Sequence, residues 1–195
     1  MADLPAGRTV QRFKEKYESL AGKVHLAADA IEVVELVSQI LQEADATCVA
    51  LADLPEELQR AIAQHCVEAG IQVVQPPFDG ASLPQALDAV QVGVNTAAFG
   101  IADTGTLVEV ATDDAFRLVS TLPRVHVSVI RTEDLVATLE DVAPRLREIY
   151  ERQPRNCTVI FISGPSRTGD IEMQLVLGVH GPEQTHAVVL QETEQ

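Results

Sequence analysis

The sequence predicts an α/β fold of three layers, with helices on both faces of a mixed, mainly parallel sheet. Three observations carry that prediction. Amphipathic helical stretches alternate with short β runs, an arrangement that needs crossover connections. Several runs, CVAL at 48–51 and VIFI at 159–162 among them, are apolar without a break, as strands covered on both sides must be. The middle of the chain sets strands so close together that no helix fits between them, which makes the sheet mixed.

Each element follows from local chemistry. Val10, Phe13, Tyr17 and Leu20 recur at steps of three and four, the stripe of an N-terminal helix expected to form an amphipathic arm over residues 1–22. KVHLA (23–27) is a short strand. Asp29 caps the next helix, in which Ile31, Val34, Val37, Ile40 and Leu41 share a face. TCVALA is a strand, and LPEELQRAIAQHCVEAG a helix with Pro55 at its start and Gly70 at its end. IQVVQP is again a strand, FDGASLPQALDAV a turn with a short helix, and VQVGVNTA (90–97) a strand running into GIADTGTLVEVA. TDDAF reads as a turn, with RLVST and VHVSVI as closely spaced strands after it. TEDLVATLEDVAPRLREIYERQ is one helix, CTVIFISG a strand, EMQLVLGVHG the last long helix and THAVVLQE the final strand. The expected division is a single domain, with an α/β core over 23–190 and an acidic tail over 191–195.

Composition narrows the function. A chain of 195 residues with 46% hydrophobic and 22% charged residues supports one proper core. No apolar run approaches the ~20 residues that span a bilayer, and MADLPAGRTVQRF has no apolar core behind a basic stretch, so the expected compartment is the cytoplasm. A net charge of −15 repels phosphate backbones, and nucleic acid is not an expected partner. The only lysines are Lys14, Lys16 and Lys23, so an anion held by the body of the chain must use arginine or backbone amides. Cys48, Cys66 and Cys157 lack the paired spacing of metal or cluster ligands, and the five histidines form no ligand pattern; the chain is expected to hold no metal.

Two glycine-bearing turns remain as the candidate site. In GIADTGT, Gly100 and Gly105 free the backbone, while Asp103, Thr104 and Thr106 supply a carboxylate and two hydroxyls. The plain alternative is a turn between strands. In SGPSRTGDIE, Ser163, Gly164, Ser166 and Thr168 stand beside an expected helix start, where free amides suit an anion and Arg167 adds charge; here the alternative is a capping turn. Neither GxxxxGK[ST] nor GxGxxG occurs. Glu109 is a candidate carboxylate for acyl transfer, although its strand position suggests a solvent-facing residue. His126 reads more simply as a satisfied structural histidine. A hydrolytic triad of Ser120, His126 and Asp103 lacks the GxSxG elbow. His180, in LGVHGPEQ, is expected to cap the last helix.

Taken together, FGIADTGTLVE, RLVSTLPRVHVSVI and SGPSRTGDIEMQLVLGVHGPEQTHAVVL resemble the LUD domain of the lactate utilisation protein C family, also called LutC or YkgG. The resemblance covers residues 99–190 strongly and the first half only in its α/β pattern. It implies a sheet related to the NagB/RpiA/CoA-transferase-like fold. It also implies a part in oxidising L-lactate to pyruvate, as a small subunit that binds no cofactor itself, beside iron–sulfur proteins of the same operon that carry the clusters. By motif, Asp103, Thr104, Gly105 and Thr106 match the first signature, Ser120, Pro123 and His126 the middle one, and Ser163, Gly164, Pro165, Ser166, Thr168, Asp170 and Glu172 the last. The expectation is a binding constellation in which Thr104, Thr106 and Ser166 hold a small anion or nucleotide-like group, oriented by His126 and Asp170. The competing expectations are a stand-alone transferase or isomerase acting through Asp103 or Glu109, and a metabolite-sensing module.

Overall fold

The computed structural model describes residues 6–78, 83–152, 157–168 and 176–191. The elements are α1 (Ala6–Ser19), β1 (Lys23–Ala27), α2 (Ala30–Glu43), β2 (Cys48–Leu51), α3 (Glu56–Glu68), β3 (Gln72–Val74), α4 (Leu83–Leu87) and β4 (Val92–Thr96). A hairpin follows, of β5 (Phe99–Ile101) and β6 (Thr106–Ala111), then α5 (Asp114–Thr121) and β7 (Val125–Arg131). After a 3-10 turn at Thr132–Asp134 come β8 (Leu135–Val136), α6 (Val142–Arg152), β9 (Thr158–Ile162), β10 (Arg167–Thr168), β11 (Val176–Leu177) and β12 (Gln184–Leu190).

The mainly parallel α/β class holds, with the strands shared between sheets. β1, β12, β7, β4, β2 and β3, in that order, form a sheet in which every pair is parallel. The antiparallel pairs of the middle strands belong to a second sheet, β8-β5-β6-β9, and β10 pairs with β11. α2 and α3 cover one face of the parallel sheet, where Val33, Val37, Leu58 and Ile62 pack on Val49, Leu51, Val92 and Val127. On the other face α5 meets Cys48 and Ala50 through Ala115 and Val119. Beside it, Phe13 and Tyr17 of α1 and Leu107 of β6 pack on Val24, Ile130, Ala187 and Val189. α6 closes the outer side of the second sheet through Val142, against Phe99, Ile101 and Val108. The N-terminal segment is therefore part of the core, with Phe13 and Tyr17 fully buried.

Three expected elements differ. RLVST is helical, because the Asp113 carboxylate accepts from the Ala115 amide and starts α5, and the buried residues Ala115 and Val119 fall one turn apart. The helix expected over TEDLVATLEDV begins only at Val142. Leu135 and Val136 pair in parallel with Gly100 and Ile101, and Asp141 accepts from the Thr138 amide and hydroxyl, so the chain extends first and coils later. The last long helix is also replaced at its described residues. Val176–Leu177 is a strand, and His180 sits exposed in the turn beyond it rather than at a helix end. The rest of that expected helix, with Asp170 and Glu172, lies outside the described residues.

Candidate functional site

The parallel sheet reverses its winding between β2 and β4. Past β2 the chain turns into α3 on one face; past β4 it runs through the hairpin into α5 on the other. The two connections part at the carboxyl ends of the strands, the place where open α/β sheets form a crevice. A shallow cleft lies there, lined by Asp53 beyond β2, Asn95 and Thr96 of β4, Glu109, Val110 and Ala111 of β6, and Phe116 of α5. Asp53 holds a left-handed backbone conformation (φ 50°), a strained geometry that clusters at functional turns.

Glu109 is only 4% exposed, so the expectation of a solvent-facing residue fails. The reason is that β6 lies between two layers and buries both of its faces. Its Oε1 stands 3.0 Å from Nε2 of His126, which is itself fully buried. Asn95 Oδ1 lies 2.9 Å from the same nitrogen and can only accept, so Nε2 carries a hydrogen that is aligned on Asn95. Glu109 Oε1 is left buried without an aligned donor, and His126 Nδ1 without any partner. Burial alone would push the Glu109 carboxyl up; attraction to His126, helped by the polar side chains around it, outweighs it and holds the group below its ordinary value. The satisfied structural histidine expected at His126 is instead a buried imidazole set against Glu109 and Asn95 through Nε2, with Nδ1 left without a partner.

The two glycine-bearing turns meet elsewhere, at the other end of β6. Antiparallel pairing sets Leu107 opposite Ile162 and so brings Thr106 next to Ser163. Their hydroxyls are 2.8 Å apart, and the Thr104 hydroxyl is 2.7 Å from that of Thr106. Thr106 is buried, while Thr104 and Ser163 reach solvent. The end of α1 crosses both turns. A Cβ at Gly105 (φ 60°) would come 2.5 Å from the Tyr17 amide nitrogen, and one at Gly164 (φ 82°) would strike the Leu20 carbonyl. Both glycines are needed for that approach, and α1 brings cations with it. Arg12 pairs with Asp103, Lys16 is exposed beside Gly105, and Arg167 donates to the Leu20 carbonyl.

The predicted residues therefore divide into two groups. Asp103, Thr104, Gly105, Thr106, Ser163 and Gly164 gather under α1; Glu109, His126 and Ser120 gather at the crevice. The expected helix start beside Ser163 is a turn leading into β10, where Ser166 and Thr168 are half-buried. The Ser166 amide is already used, donating to the Pro182 carbonyl at 2.9 Å. Asp103 pairs with Arg12, and Ser120 Oγ donates to the Arg117 carbonyl, so the triad of Ser120, His126 and Asp103 does not assemble. Sequence reasoning missed Asp53, Asn95, Thr96 and Phe116. The signal available was the polar pair Asn95 and Thr96 at the end of an apolar strand.

Burial raises the thiols of Cys48 and Cys66, the latter to about 11, and both stay protonated. Among the described residues no group of three or more His, Cys, Asp or Glu is placed to hold a metal ion, and no helix is long and apolar enough to cross a membrane.

The family model of the LUD domain matches residues 10–190. A lactate utilization protein C of Deinococcus radiodurans is 32% identical over 160 residues, which cover 74% of this chain and 72% of that protein. The protein of the same name from Shouchella clausii is 37% identical over 101 residues, 52% of this chain and 44% of that one. That from Halalkalibacterium halodurans is 34% identical over 120 residues, 58% and 50% of the two chains. The chain spans about half the length of these last two relatives. Among solved structures, a DUF162 family protein from Deinococcus radiodurans superposes with a TM-score of 0.66 over 96% of this chain and 99% of that one, at 19% identity, a likeness of fold alone.

Proposed function

The chain belongs to the LUD domain family, and on that premise we propose that it works in lactate utilisation as a small subunit that holds a carboxylate anion at the converging turns under α1. The relatives named lactate utilization protein C support the role in lactate utilisation. The observation that carries the site is the row of hydroxyls Thr104, Thr106 and Ser163 set beside Arg12, Lys16 and Arg167. Hydroxyl donors next to guanidinium groups suit a carboxylate such as that of lactate or pyruvate. On a chain of net charge −15, clustered cations also direct an anion to this one place. In this reading the redox step and its iron–sulfur clusters belong to partner proteins, and this chain binds and presents the acid.

A strain lacking the gene tests the reading by growth on lactate. Wild-type protein restores growth, and the double variant Thr104→Val, Ser163→Ala restores it poorly while accumulating to the same level. Full rescue by that variant would remove the turns from the function.

The second reading, a stand-alone transferase or isomerase, is favoured by one observation, the buried Glu109 lining a cleft. Turnover by the isolated protein that disappears in Glu109→Gln would establish it.

A further inference from the structure

We propose that Asp103 is a built-in competitor at the turns under α1, a carboxylate of the chain itself that occupies Arg12 and that an incoming monocarboxylate must displace. The inference rests on the anion site assigned above and names the residue that sets its affinity. Asp103 stands in the first turn, one residue before Thr104, and pairs with Arg12 of α1 across 91 positions of sequence. The backbone holds it there: the Ala102 amide donates to the Val136 carbonyl at 2.9 Å, and the Asp103 amide to the Ala137 carbonyl at 3.0 Å. A side-chain carboxylate is the same chemical group as the ligand, so the two compete for one guanidinium. The contact is single, from Nη2 to Oδ1, whereas a free carboxylate can take a guanidinium through both oxygens. With side chains 44% and 41% exposed, Arg12 and Asp103 are both open to the exchange.

The hydroxyls do not set the affinity by themselves. Thr104, Thr106 and Ser163 form a row with two hydrogen bonds inside it, which use two of the three hydroxyl hydrogens and leave one to donate outward. Attraction for an anion must then come from the cations, and Asp103 neutralises one of them. Arg167 donates to a neutral carbonyl, that of Leu20, and Lys16 is exposed. Holding α1 in place does not require the Arg12 pair. Phe13 and Tyr17 are fully buried, Gly105 and Gly164 admit the helix end against the turns, and an exposed ion pair adds little to stability.

The test is a titration of the full chain with sodium L-lactate, and with neutral lactamide, at matched ionic strength, followed by the amide chemical shifts of Thr104, Thr106 and Ser163. Asp103→Asn keeps the size of the side chain and removes its charge. It is expected to bind lactate about three- to fivefold more tightly than wild type, the scale of one exposed ion pair released. A pair that only braced the turn would give the opposite, looser binding. Arg12→Gln should bind more weakly than wild type, and adding Asp103→Asn to it should bring back none of the loss, which separates competition for Arg12 from a general change of charge. Saturable binding in wild type that is unchanged or weakened by Asp103→Asn, or a gain that survives Arg12→Gln, would overturn the competitor and leave the anion site standing. No saturable shift in either wild type or Asp103→Asn, or equal saturation by lactamide, would remove the carboxylate site itself and the competitor with it.

Discussion

At Glu109 a carboxylate is taken out of water and set 3.0 Å from one imidazole nitrogen, among buried polar side chains that include Asn95 and Ser120. Such a pair contributes through what happens when it is broken. Glu109→Ala leaves buried His126 with Asn95 as its remaining side-chain partner, and a loss of about 3–5 kcal/mol is expected, measured by urea unfolding at neutral pH. Glu109→Gln keeps the volume and should cost less. The acid side separates charge from packing. The folded Glu109 carboxyl sits below its ordinary 4.5, so its stabilisation is complete above that value and is lost as pH falls through the lowered one. The difference in urea midpoint between wild type and Glu109→Gln should therefore shrink below pH 4.5. Nothing in GTLVEV signals this role, because the partner is 17 positions along the chain, on a strand of the other sheet.

Elements meet through a few obligatory contacts. α5 lies directly on β4 at Gly93, where a Cβ would collide with the Val119 carbonyl, a backbone atom unable to swing aside. Gly93→Ala should lose about 1–3 kcal/mol or more in urea unfolding, by pushing the helix off the sheet. Strands β1 and β12 are joined by a different device. His25 Nε2 and His186 Nδ1 are 3.0 Å apart with their rings stacked, so one nitrogen donates and the other accepts. Burial, then Lys23, His25 and His126, push the His186 pKa down to about 3. A lowered histidine stabilises fully above its ordinary 6.5 and gives that up as pH falls toward 3, at no more than about 1.4 kcal/mol per pH unit. Urea midpoints measured between pH 7 and 4 should fall in the wild type and flatten in His186→Gln.

For the whole molecule, the class of fold was legible because its signals are local. KVHLA stands between Gly22 and the capping Asp29, and its strand ends fall at Lys23 and Ala27 as read. Gly70 likewise follows the cap of α3 with φ 75°. What escaped was long-range or too short to show a period. RLVST spans little more than one helical turn, so alternation and helical spacing look alike in it. Leu135 and Val136 fit a helical stripe equally well until Gly100 and Ile101 offer a ladder. The candidate site follows the same rule. The hydroxyls of Thr104, Thr106 and Ser163 were readable as chemistry, and the β6–β9 pairing that unites them was not. Ser120 and His126 went instead to Glu109, further along β6 than Thr106.

The central claim is that the turns under α1 hold a small carboxylate. Amide chemical shifts during titration of the purified chain with lactate and with pyruvate test it most directly. Saturable movement at Thr104, Thr106 and Ser163, lost in Thr104→Val with Ser163→Ala, is the predicted result. Saturation confined to other residues, or undiminished in that double variant, would contradict it.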